Sequence, residues 1–151
     1  MGIDAFLAIL HDLAMIALVG LLFVEFTLLR ATLDGPGIRR LRRVESVILV
    51  TLVAVVVFGI ARLAWGIVPA DAYLQNAYFW LKMGALGFVV LIALLPMRDS
   101  GRWRRALATN PGYRPPAGEV AQARRALSVE LVVLPLVPIA AVLMARGFGA
   151  F

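Results

Sequence analysis

His11 is the only imidazole in this chain and Lys82 the only lysine among 15 basic side chains, and both interrupt stretches that are otherwise apolar. Asp12 and Arg62 do the same, and Glu25, Glu45 and Glu130 stand toward the opposite ends of their stretches. If those stretches cross a bilayer, each charge costs at least ~2.5–3.5 kcal/mol on insertion scales, which makes these side chains the first candidates for chemistry. An imidazole can ligate a metal or take a proton. A compact ammonium can pair with a carboxylate and, unlike a guanidinium, can lose its proton when buried. Carboxylates inside a membrane can accept protons or lock helix ends against arginines.

The candidates fall at two depths. At helical rise, His11 lies ~10 Å in from the outer end of its segment, and Arg62 and Lys82 lie ~6–8 Å in from theirs. These three could meet at one level, with Trp65, Asn76, Tyr78 and Trp80 around them. Other outcomes are open. The aromatic rings suit an interfacial belt, Arg62 and Lys82 could snorkel to headgroups, Asp12 could neutralise one of them, and His11 could bond a neighbouring carbonyl. The second set, Glu25, Glu45 and Glu130, has Arg39, Arg40, Arg42, Arg43, Arg124 and Arg125 close by in sequence. It reads either as ion pairs closing the helix ends or as a proton-accepting site. His11, Met15, Leu18, Leu22 and Glu25 recur at helical spacing, which predicts one stripe facing the bundle interior and joining the two sets.

Two assignments of chemistry follow. In one, a haem b sits between the helices with His11 as axial ligand to the iron, Arg62 and Lys82 toward propionates or substrate, and Trp80 beside them. In the other, Glu25 and Glu130 belong to a proton or ion pathway. A single His excludes bis-His ligation within one chain, and the lack of Cys excludes disulfides, iron–sulfur ligation and covalent c-type attachment. No nucleophile–base pair, phosphate-cradling glycine loop or nucleic-acid motif is present.

Four apolar segments must position these groups: 5–29, 44–67, 78–96 and 127–145. Each has the roughly 19–25 residues a spanning helix needs. The chain of 151 residues is 62% hydrophobic, more than a small soluble domain can bury. Valine-rich 47–58 would suit a strand in water, but an isolated strand in lipid leaves its backbone unpaired, so helix is expected. The expected fold is an all-α, four-helix transmembrane bundle forming one domain.

Connections 30–43 and 97–126 are rich in arginine, while 68–77 has no Lys or Arg. The positive-inside rule then puts both basic loops in the cytoplasm and both termini outside. The +6 formal charge, set beside hydrophobic runs, points to anionic lipid headgroups rather than nucleic acid as counter-charge. The N-terminus lacks a basic n-region and its apolar run exceeds a signal peptide's, so it is expected to stay as the first helix. Gly35-Pro36-Gly37 predicts a turn, and 97–126 a loop with a helical lead-in over 118–125. Trp103 is expected at the inner interface. Pro135 and Pro138 predict a kink in the last helix, freeing carbonyls near Leu131 and Leu134.

The strings His11…Gly20-Leu21-Leu22-Phe23-Val24-Glu25 and Tyr73…Asn76…Phe79-Trp80-Leu81-Lys82 resemble an uncharacterised family of small bacterial four-span membrane proteins, over nearly the whole chain. More distantly the chain is similar to the group containing the HemJ-type protoporphyrinogen oxidases and copper-resistance D-like proteins. That likeness implies haem b on His11, with Lys82 as a second active-site residue. The chain departs from the HemJ type, which has a basic residue where this chain has the Glu25-Phe26 region and a further His near the end of helix one that is absent here. The functional readings are a haem-b-associated oxidoreductase of the bacterial inner membrane, a non-enzymatic subunit or scaffold of a larger membrane complex or homo-oligomer, and a small transporter or proton pathway.

Overall fold

The computed structural model describes residues 2–149, and no strand occurs among them. Helix α1 spans Ile3–Arg30 and α2 spans Gly35–Trp65. A short α3, Ala70–Leu74, precedes α4, Ala77–Thr109. Helices α5, Ala117–Val133, and α6, Leu136–Ala145, form the fourth rod. Four rods are long and apolar enough to cross a membrane, as expected for a four-helix bundle.

Helix α1 packs mainly on α2, and α2 packs on α4. Helix α4 packs on both halves of the fourth rod, whereas α1 meets that rod through α5. The interruption lies at Leu134-Pro135. Both residues keep helical dihedrals, but Pro135 has no N–H to donate, so the hydrogen-bond ladder breaks. The interruption expected at Pro135 divides the rod into α5, which packs on both α1 and α4, and α6, which packs on α4.

The helices outrun the expected spans at the arginine-rich end. Gly35-Pro36-Gly37 is the first turn of α2 rather than a loop turn, because Asp34 caps it by accepting from Gly37 N at 2.9 Å and proline suits the opening positions. Helix α4 runs through Pro96 to Thr109, replacing much of the loop expected over 97–126. The cause is a buried stripe, Ala93, Pro96, Ser100, Trp103 and Leu107, recurring at helical spacing. Trp103 is buried in the core instead of lying at the membrane interface, and its indole N–H donates to Glu119 at 2.7 Å. That bond ties α4 to α5. The lead-in expected over 118–125 is the first part of α5.

At the opposite end the chain closes on itself. Ile67 N donates to Asp4 at 3.4 Å, and Asn76 Nδ2 donates to Phe148 O at 3.0 Å. Ala77 N donates to Gly149 O at 2.8 Å, where Gly149 has φ of 78°, a backbone state that glycine tolerates. Both termini and the 68–77 connection thus share one end of the bundle, and the arginine-rich connections share the other.

Candidate functional site

The stripe on α1 faces inward. Leu18, Leu22, Glu25 and Leu29 are buried, while the intervening faces are exposed. It delivers Glu25 to the same level as Glu45 on α2 and Glu130 on α5. All three side chains are removed from solvent, at 2%, 1% and 0% exposure. Helix α1 packs on both α2 and α5, the elements that carry Glu45 and Glu130.

Their partners are unequal. Glu45 Oε2 accepts from Arg42 Nη1 at 2.9 Å and from Ser100 Oγ at 2.5 Å. The same Arg42 nitrogen donates to Met97 O at 3.1 Å. Ser100 escaped the sequence reading. Its only signal was its place in the α4 stripe, which marks burial and not bonding. Glu25 Oε1, Glu45 Oε1 and both oxygens of Glu130 are buried with no hydrogen-bond partner. The expectation that arginines lock these acids therefore holds for Glu45 alone. Among the described residues no arginine reaches Glu25 or Glu130 within ion-pair distance. Arg39, Arg40, Arg43, Arg124 and Arg125 are exposed on the outer faces of their helices.

A carboxylate moved out of water without a donor is strongly disfavoured, so Glu25 and Glu130 are the costly members of the group. Among the described residues no group of three His, Cys, Asp or Glu side chains stands in metal-holding geometry. Glu130 lies one turn before Pro135, and Leu134 N donates to its backbone carbonyl at 2.8 Å. The broken ladder and the unpartnered acid are thus adjacent.

The second set gathers near the other end. His11 packs against Gly59 on α2, one turn before Arg62, and Lys82 stands on α4, which packs on α2. Arg62 Nε is buried without a partner, and Lys82 Nζ lies 5.9 Å from the centre of the Phe79 ring. Asp12 is mostly exposed and reaches only His11 Nδ1, at 3.5 Å; it makes no ion pair with either cation. Trp80 does not join them. Its ring is 55% exposed and its N–H donates to Leu74 O at 3.0 Å, bracing α3. Trp65 is exposed as well, as an interfacial belt requires.

The His11 ring packs on α2. Its Nε2 and Cδ2 both lie 3.6 Å from where a Cβ on Gly59 would stand, so that ring edge faces the α2 backbone. Its Nδ1 faces Asp12.

The model of a family described as predicted membrane protein (DUF2214) matches residues 3–149. The chain belongs to that family. Its four long apolar rods and the family description together make it a multi-pass membrane protein. No curated protein and no solved structure matches the chain.

Proposed function

We propose that this family member is a small proton-translocating membrane protein in which Glu25 and Glu130 carry the exchangeable proton. The observation that supports this reading is the set of three buried acids contributed by three helices, with four oxygens lacking a donor and one arginine to balance them. Intramembrane acids of this kind are costly and mark proton relays by default.

Glu45, held by Arg42 and Ser100, is the fixed charge of the group. Its field acts on Glu25 and sets how readily that side chain gives up its proton. From Glu25 to His11 the stripe spans ~21 Å of helix. Leu22 and Leu18 are buried along it, so no polar chain connects the two sets in this conformation. Passage then takes a rearrangement, and the interrupted ladder beside Glu130 supplies a hinge, as broken helices do in carriers. His11, Arg62 and Lys82 form the cationic exit at the far end, where an imidazole can relay protons.

Proteoliposomes loaded with a pH-sensitive dye and driven by a potassium diffusion potential test this. The wild type acidifies or alkalinises the lumen faster than empty vesicles, and Glu25→Gln with Glu130→Gln returns the rate to background. Glu119→Gln, outside the buried group, leaves it intact. A wild-type rate equal to that of empty vesicles, or a double variant that conducts normally, overturns the proposal.

A further inference from the structure

We infer that the arginine-rich end holds a two-phosphate lipid headgroup around Arg114. Two neighbouring cavities lie there. One, of about 460 Å³, is lined by Arg39 and Arg114 beside Tyr113 and Leu107. The other, of about 330 Å³, is lined by Arg30, Arg114 and Arg124 with Leu29 and Val120. Arg114 belongs to both. The four guanidinium groups come from the end of α1, the start of α2, the α4–α5 connection and α5, elements far apart in sequence. Among the described residues none of the four is within ion-pair distance of a carboxylate. The one acid in the walls, Asp34, spends an oxygen on capping α2.

The depth suits a headgroup. Leu29 ends the buried stripe of α1 and Arg30 follows it directly, so the second cavity sits where the apolar run stops. Its wall combines guanidinium groups with Leu29 and Val120, matching a phosphate attached to an acyl-bearing glycerol. Basic pockets between spanning helices bind multiply charged lipid headgroups, and guanidinium groups match phosphate oxygens in pairs. Two cavities sharing one arginine match two phosphates joined by a short bridge, as in a diphosphatidylglycerol lipid. A single-phosphate lipid fills one cavity and leaves the other's arginines unbalanced. This site is independent of the proton reading.

Native mass spectrometry of the purified full chain in mild detergent tests the assignment, with diphosphatidylglycerol, phosphatidylglycerol, phosphatidylcholine and inorganic pyrophosphate as probes. The diphosphatidyl lipid is expected to be retained in preference to both others. Arg114→Gln is expected to weaken retention about five- to tenfold, the loss of roughly one surface arginine's attraction on each phosphate. Arg114→Lys recovers part of it, and Arg105→Gln, which lines neither cavity, changes nothing. Equal retention of phosphatidylglycerol, an Arg114→Gln protein that binds like the wild type, or pyrophosphate displacing the lipid stoichiometrically overturns the proposal. The last result would make a soluble diphosphate the occupant.

Discussion

Glu130→Leu is expected to make the protein more stable while abolishing its activity. Glu130 is wholly buried, and both carboxyl oxygens lack a donor. A buried polar group without a partner costs about 1–3 kcal/mol. Leucine has nearly the same volume, so the exchange removes that cost without opening a cavity and adds apolar contact. For a chain of this size each kcal/mol moves the midpoint by about 2–4 °C, so an upward shift of about 2–12 °C is expected. Thermal unfolding in detergent, followed by the fluorescence of buried Trp103, reads the shift. Proton flux in vesicles reads the activity. A stabilised but inactive protein shows that the acid is kept for function at the expense of stability. A folded Glu130→Leu protein with an unchanged or lower midpoint would mean that Glu130 has a partner, and the reasoning would fail.

Arg42→Leu leaves Glu45 buried without a counter-charge and is expected to cost about 3–5 kcal/mol, most of it recovered in the Arg42→Leu, Glu45→Leu double variant; a double-mutant cycle by chemical unfolding gives both values. Additive losses would show that the pair acts independently. Protein purified from haem-replete cells is expected to show no Soret band, because His11 Nε2 faces the Gly59 backbone. A Soret band that disappears in His11→Ala would reinstate the haem assignment.

The four spans were legible because their lengths and hydropathy leave lipid as the only solvent that fits. The helix ends were not. At Gly35-Pro36-Gly37 the residues suit a turn and a helix start equally, and the cap from Asp34 together with buried Ile38 and Leu41 decides for helix. Beyond Pro96 a local rule predicts termination, while burial of Ser100, Trp103 and Leu107 carries α4 onward. The acids of the inner set were visible as charges in apolar runs. Their lack of partners was not, because it depends on helix rotation. Arg39, Arg40 and Arg43 lie near Glu45 in sequence yet project outward, and only Arg42, one turn away on the inner side, reaches it. The place of His11, Arg62 and Lys82 toward one end of their helices followed from counting residues in from the helix ends. The direction of the imidazole nitrogens did not, since it depends on how the ring edge packs against Gly59 of α2.

Infrared difference spectroscopy on the protein in bilayers addresses the buried acids most directly. The expected spectrum contains protonated-carboxyl carbonyl bands that shift on exchange into heavy water and are reduced in Glu25→Gln and again in Glu130→Gln. A spectrum with no such band, every buried acid ionised and insensitive to either substitution, would contradict the claim that these side chains hold exchangeable protons.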